Sequence, residues 1–457
     1  MSICTVAQAA RMAGGTLLGL DHSNSIETVI IDSRLAIPGA LFVALPGEQV
    51  DGHEFIKQAF EKGAVAAMVA QSHAQDFHHE ALRRGVSLIV VDDTLRGLQR
   101  FASAHVERYP EVRKVGITGS CGKTTTKDMV ASVLSVMGNT ASTPGNFNSE
   151  IGLPLSVFQV GPKTEYGVFE MGVDHVGEMD RMLEIWRPDA GIITNIGLSH
   201  LGKMGSMRVI AHEKSKMFHN RITTGFISEN SAWRGYISEL RKVELSAFGL
   251  DSTEGVRGVE SLGLRGWKID YEGLSINLDA VGRHNLMDAM ATISLARGFG
   301  ADPQTVKEGL ERFKTSGGRS RIIDGDVTII EDCYNASMDS TGSILDYMDT
   351  LPWKGHKKVV LGSMKELGKA SVAAHEAVGR KLLGVKPASA YFYGQEMESA
   401  WMVMKQNGYT RNLFYTDDFE ELQAKVMQEM QRGDLVLLKG SRAMAMERLV
   451  PGIRSIA

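Results

Sequence analysis

Residues 114–127 read KVGITGSCGKTTTK, and this stretch admits few folds. Val115, Ile117 and Thr118 read as the end of a buried strand, residues 119–122 as a turn, and Lys123 onward as the start of a helix. A turn so rich in small residues lets backbone N–H groups converge on a chain of phosphates, which assigns Gly119, Ser120 and Gly122 to nucleotide binding. The helix N-terminus adds unpaired amides and a partial positive charge. Lys123 reaches the terminal phosphates, and Thr124, with Thr125 beside it, supplies a hydroxyl suited to Mg2+. The spacing is unusual: the common phosphate loop has a glycine five positions before the Gly-Lys pair, and Ile117 stands there, with Gly116 one residue early and Gly119 two late. Strand, turn, lysine, hydroxyl and helix start still coincide, which points to ATP or GTP; a generic glycine-rich turn is the alternative.

A chain of 457 residues has room for about three domains. Residues 26–31, 40–45, 64–69 and 87–91 read as strands, and 53–62 and 95–106 as helices, giving a small α/β module that ends near Pro110. A parallel sheet follows: the phosphate-loop strand, a helix to about Met137, a strand at 166–171, a helix after Gly177 and a strand at 191–196. Ligand groups gather at the carboxyl ends of such strands, which puts Glu170 and Asn195 near the phosphate loop. A helix is expected over 207–220, then glycine-punctuated strand-like segments to about residue 280. Residues 316–319 turn polar and glycine-rich, as a linker would. Beyond them a hairpin through Gly325 and Asp326 joins 322–324 to 327–332, and strands at 358–361, 389–393, 412–415 and 434–438 alternate with helices. The expected domains are therefore 1–109, 110–317 and 318–457.

Fifty basic residues against fifty-four acidic ones leave no broad positive field, so nucleic acid is not an expected partner. Cys4, Cys121 and Cys333 are too far apart in sequence for a metal-spaced pair and suit a reducing compartment. With no segment apolar enough to span a bilayer, a cytoplasmic protein is expected.

Further motifs extend the pattern: TPGNFNSEIGLPLS from Thr143, EMG from Glu170, NIGLSH from Asn195, GRHN from Gly282, YNASMDS from Tyr334, LGSMKELG from Leu361 and KGSRAMAME from Lys439. Together with GITGSCGKTTT and the amino-terminal DSRLAIPGALFVALPGEQVDGHEF, they resemble the Mur ligase family over nearly the whole length and in family order. The displaced glycines are that family's form of the loop. The asparagine-rich segment at 143–156 is similar to that of the member adding D-alanyl-D-alanine, and the DNPR-like signature of the amino-acid-adding member is absent. The resemblance implies an α/β protein of three-domain Mur ligase architecture, with a central P-loop ATPase-like parallel sheet and a C-terminal Rossmann-like domain. It implies an ATP-dependent amide ligase that phosphorylates the terminal carboxylate of UDP-N-acetylmuramoyl-tripeptide. The amine of D-alanyl-D-alanine then displaces phosphate. A monomer is expected.

The resemblance also assigns residues. Thr124, Glu170, His200 and Lys214 would hold two Mg2+ ions, Lys214 as a carbamate, since a protonated lysine cannot ligate a cation; Lys216 offers a rival register. Read without the family, a lone histidine such as His200 is more often a helix-capping or surface residue than a metal ligand. Ser33, Arg34, Asp51 and His53 would surround the uridine diphosphate, although Arg34 could be one arm of a surface ion pair. Asn146, Asn148, Ser149 and Glu150 would orient the sugar and growing peptide, or simply cap a loop. Asn285, Asp332 and Asn335 would meet the nucleotide, Arg319 would approach the phosphates on closure, and Lys439, Ser441 and Arg442 would bind the dipeptide or a substrate carboxylate, or merely cap the last helix. Five positions depart from the family pattern: Cys121 replaces asparagine, Gly202 an acidic residue two places after the histidine, Ser337-Met338 an Asn-Pro pair, and Ser363 an aspartate.

Overall fold

A computed structural model describes residues 2–19, 23–47, 50–219 and 222–456. The chain forms two units: 1–116, 138–173 and 177–190 make the first, and 117–137, 174–176 and 191–457 the second.

In the first unit, the strands Thr28–Ile30, Ala40–Val43, Ala66–Ala70 and Ser87–Val91 run parallel, and Thr16–Gly19 closes the far edge antiparallel to Ser87–Val91. Alternation explains why both faces are covered. Leu41, Val43, Met68 and Ile89 face the helices Val6–Ala13 and Thr94–Glu107. Phe42, Ala67, Val69 and Leu88 face Ile56–Glu61 and Ala74–Arg84. The strand expected over 26–31 divides: Ile26 pairs with Cys4, and only Thr28–Ile30 enters the larger sheet. The helix expected over 53–62 opens instead as a 3-10 turn, Gly52–Phe55, because the Asp51 carboxylate accepts the His53 amide and tightens the first turn. Thr140–Ser142 and Tyr166–Glu170 form a parallel pair in the same unit.

In the second unit the helix Lys123–Met137 packs against Arg283–Gly298 and Pro303–Arg312. Thr224–Ser228 and Leu245–Phe248 pair in parallel, with the helix Arg234–Arg241 between them. The sequence reading missed that helix, in which Ile237 is the single buried side chain. Three antiparallel strands follow, Val256–Ser261, Trp267–Tyr271 and Leu274–Leu278. The helix expected over 207–220 spans Met207–Ser215; Asn220 lies outside the described residues. The last sheet runs in the order Arg321–Ile323, Thr328–Asp332, Leu435–Lys439, Lys357–Gly362, Ser389–Tyr393, Asn412–Thr416, with its first edge antiparallel and the rest parallel. The expected hairpin forms its edge. Among the described residues, no helix is long and apolar enough to cross a membrane.

Candidate active site

The strand Arg113–Thr118 delivers the chain into the loop at 119–122, and Lys123 opens the helix. Gly119 and Gly122 have φ of +151° and +81°. A Cβ on Gly119 would lie 1.9 Å from Thr194 Oγ1, and one on Gly122 would lie 2.6 Å from Asp288 Oδ1. Both positions therefore require glycine. Asn195, just beyond the strand Ala190–Ile193, organises the loop: its Oδ1 accepts the amides of Ser120 at 3.0 Å and Cys121 at 2.9 Å. The Ser120 hydroxyl donates to Gly197 O at 3.1 Å and accepts from Gly197 N at 2.8 Å. Lys123 folds back to donate to Gly119 O at 3.0 Å. A phosphate entering the loop would compete with these protein acceptors for the donors.

Asp288 is a neighbour the sequence reading did not find. It sits on the helix Arg283–Gly298 with Oδ1 accepting Thr126 Oγ1 at 2.9 Å, while Oδ2 has no hydrogen-bond partner among the described residues. Burial pushes its carboxyl up to about 8, against the opposing Thr126 bond and the charge of Arg319. The available signal was an acid inside the otherwise apolar run LMDAMATISL. Asn285, expected at the nucleotide, is buried and donates to Val281 O at 2.6 Å.

His200 is largely buried, and its imidazole is held below its usual range first by burial, then by Lys123 and Lys214, with Glu366 and Asp174 opposing. Lys123, His200 and Lys214 are thus brought together in the second unit. Lys214 is 1% exposed on the helix Met207–Ser215, whereas Lys216 is tied to Glu213 at 2.7 Å. Two lysines gather positive charge, which suits a triphosphate. They suit Mg2+ as well only if Lys214 carries a negative tip; with that, a Thr124 hydroxyl, an imidazole nitrogen and a carbamate oxygen are a fitting donor set for hard cations.

In the first unit Glu170 ends the strand Tyr166–Glu170 at 1% exposure. Its amide donates to Thr143 Oγ1 at 2.8 Å, and its carboxylate accepts Asn148 Nδ2 at 2.5 Å, so two residues expected in different roles meet. Ser149 Oγ accepts the Gly152 amide at 3.2 Å, and Glu150 pairs with Arg181 at 2.5 Å. Asn146 lies exposed on the same loop. Around the amino-terminal sheet, Ser33 Oγ donates to Gln58 Oε1 at 2.6 Å. Arg34 is 80% exposed and pairs with Asp32 at 2.8 Å, which is the surface ion pair weighed as its alternative. His53 donates from Nδ1 to Asp51 Oδ1 at 2.6 Å, accepts the Ala70 amide at Nε2 at 3.0 Å, and stacks on His73, another residue the sequence reading missed.

The remaining assignments lie on the C-terminal sheet. Asp332 and Lys439 are register partners on adjacent strands and pair at 2.6 Å; Lys439 also donates to Asn335 O at 3.1 Å. Lys439 is therefore an internal brace beneath Asp332 and Asn335. Ser320 N donates to Asp332 Oδ1 at 3.1 Å, and Arg319 lies 3.6 Å over the Tyr334 ring. Ser441 Oγ accepts the Lys365 amide at 2.9 Å, while Arg442 faces solvent against Glu447 at 2.7 Å.

A phosphate loop with its lysine, in a chain built of α/β layers, defines a nucleotide-dependent α/β enzyme. The profile "Mur ligase family, catalytic domain" matches residues 25–106, "Mur ligase middle domain" 117–296, and "Mur ligase, glutamate ligase domain" 318–442. The UDP-N-acetylmuramoyl-tripeptide--D-alanyl-D-alanine ligase of Treponema pallidum is 35% identical over 456 residues, 99% of this chain and 98% of that one. The enzyme of the same name from Bacillus subtilis is 34% identical over 467 residues, covering 98% and 97%. A crystal structure of MurF from Acinetobacter baumannii superposes with a TM-score of 0.85 at 26% identity, covering 99% of this chain and 98% of that one. The chain belongs to the Mur ligase family and has its three-domain α/β fold.

Proposed function

We propose that this protein uses ATP to join D-alanyl-D-alanine to UDP-N-acetylmuramoyl-tripeptide, giving UDP-N-acetylmuramoyl-pentapeptide, ADP and phosphate. The observation that supports it most is the meeting of Lys123 and buried Lys214 around His200 beside the phosphate loop, within a chain aligned end to end with enzymes named for that reaction.

A carboxylate is a poor acyl donor because hydroxide leaves badly. The terminal carboxylate oxygen attacks the γ-phosphorus and ADP departs, leaving an acyl phosphate. The dipeptide amine then attacks the carbonyl carbon, loses a proton, and phosphate leaves. Lys123 neutralises charge on the transferred group, and the loop amides hold the phosphate chain in line. Thr124, Glu170, His200 and a carbamylated Lys214 would hold Mg2+, which would supply further charge neutralisation. Arg319 approaches the phosphates as water is excluded from a hydrolysable intermediate.

We assign residues 1–109 to the UDP-sugar, with Ser33, Arg34, Asp51 and His53 as its contacts. Residues 110–317 carry the chemistry, and 318–457 the adenosine and dipeptide. Action in the cytoplasm fits a nucleotide-linked substrate and three free thiols. The test is phosphate release with purified UDP-N-acetylmuramoyl-tripeptides and an amine panel, with the product identified by mass. Turnover with a single amino acid and none with D-alanyl-D-alanine would instead mark an amino-acid-adding ligase, and tight nucleotide binding with no phosphate release an inactive binding protein. Lys123→Ala is expected to abolish ADP formation while the UDP-linked substrate still binds. Intact-protein mass under gentle handling is expected to show a labile CO2 adduct that Lys214→Ala lacks.

A further inference from the structure

His200 has a left-handed backbone, φ +60°, and leads the short helix Leu201–Met204. Two residues on, Gly202 has no side chain to reach back to it. Opposite runs the loop between the strand Lys357–Gly362 and the helix Ser371–Val385, where Glu366 and Gly368 are also left-handed, with φ of +66° and +54°. The two backbones touch: a Cβ on Gly202 would lie 3.1 Å from Gly368 N and 3.2 Å from Glu366 O, and a Cβ on Gly368 would lie 3.0 Å from Gly202 Cα. A side chain at 202 would wedge them apart. Across this contact Glu366 Oε2 comes within 2.7 Å of His200 Nδ1. The contact is close but off-line, since Nδ1 is buried and no hydrogen-bond acceptor is aligned on it among the described residues. Hydrogen bonds at unliganded sites are commonly poorly aligned and tighten when the ligand binds.

An imidazole ligates a cation through one nitrogen when an acceptor fixes the proton on the other. We propose that Glu366 is the positioning residue for His200, delivered across the Gly202–Gly368 contact by the C-terminal loop, fixing the Nδ1–H tautomer and leaving Nε2 as the ligating nitrogen. The acid missing at 202 is thereby supplied from 164 residues further along the chain. Two left-handed non-glycine residues facing each other cost backbone strain that a generic surface ion pair would not require. Cation affinity then depends on the C-terminal loop being seated on the central lobe. The proposal rests on His200 being a cation ligand.

The experiment is titration of the full chain, saturated with ADP, with Mn2+ followed by EPR. Melting temperature and metal-free ADP affinity are measured in parallel. Glu366→Ala is expected to weaken Mn2+ binding about 10–100-fold, with melting temperature and metal-free ADP affinity unchanged. Glu366→Gln, which keeps an acceptor but loses the charge, is expected to weaken it less, by about threefold, between the wild type and the roughly 10–100-fold loss of Glu366→Ala. Lys365→Ala, which faces Glu396 on the same loop, is expected to leave it unchanged. In 15N-histidine spectra the wild type should show His200 protonated at Nδ1, and Glu366→Ala a mixture of tautomers. If His200→Ala leaves Mn2+ affinity intact, the reading of His200 itself fails. If His200→Ala weakens it and Glu366→Ala does not, only the role of Glu366 is overturned. Should Glu366→Ala not fold, wild-type Mn2+ affinity in Glu366→Gln overturns it.

Discussion

A carboxyl group sealed away from water holds its proton, and Asp288 does so one helix away from the phosphate loop. Its pKa is raised to about 8, chiefly by burial, from a reference near 3.8. The native state therefore binds a proton that the unfolded chain releases above about pH 4, so stability falls as pH rises from there and levels off above pH 8. Asp288→Asn keeps the acceptor for Thr126 and carries no charge to bury. It is expected to flatten the stability profile between pH 4 and 8 and to add at least about 2 kcal/mol at pH 8, read from urea unfolding at several pH values. A variant with the wild-type slope would mean that another group carries it. At this scale the sequence was legible where chemistry and local spacing coincide: Gly119, Gly122 and Lys123 could be placed because strand, turn and helix follow one another, and Asn195 because it lies at the carboxyl end of a strand. Asp288 and Glu366 were not legible, because each reaches its partner from more than 160 residues away.

Among the elements, the phosphate-loop helix Lys123–Met137 is held by an unusually close neighbour. Gly309, within Pro303–Arg312, presses on it so tightly that a Cβ would lie 2.3 Å from Val133 Cα, and Ser132 Oγ donates to Gly309 O at 2.6 Å. Helix propensity alone predicts that Gly309→Ala stabilises by about 1 kcal/mol. The obstacle is backbone, which cannot rotate aside, and overpacking typically costs about 1–3 kcal/mol. The clash is expected to win, lowering the melting temperature and, by shifting the helix that carries Lys123, lowering ATP turnover. An increase in stability would refute this contact. Elements with a strong, local signature were readable from sequence: SLIVV at Ser87–Val91 is fully buried, and the hairpin at Gly325-Asp326 lies between paired strands. Arg234–Arg241 and the 3-10 turn Gly52–Phe55 were not, since one has a single buried apolar residue and the other is shaped by a side-chain cap that competes with helical hydrogen bonds.

For the whole chain, three cysteines report on three places. Cys4 is buried in the first unit, where burial pushes its thiol up to about 11; Cys333 is buried beneath the C-terminal sheet, where burial and neighbouring acids raise it further. Cys121 is only half-buried, in the phosphate loop, with Sγ 3.1 Å from Ser337 Oγ. Because the thiolate is the reactive form and must be reached, the native protein is expected to yield one fast thiol of three to a disulfide reagent at pH 8, slowed by saturating ADP and lost in Cys121→Ala. The other two then become gauges of unfolding. Cys4 belongs to a core built on the amino-terminal sheet and Cys333 to one built on the last sheet, and multi-domain chains need not unfold in one step. In the Cys121→Ala background, mass-resolved labelling along a urea gradient is expected to expose Cys4 and Cys333 at different midpoints, each with its own slope. Coincident midpoints would mean that the two cores melt as one cooperative body, and that loss of either would carry the phosphate loop with it.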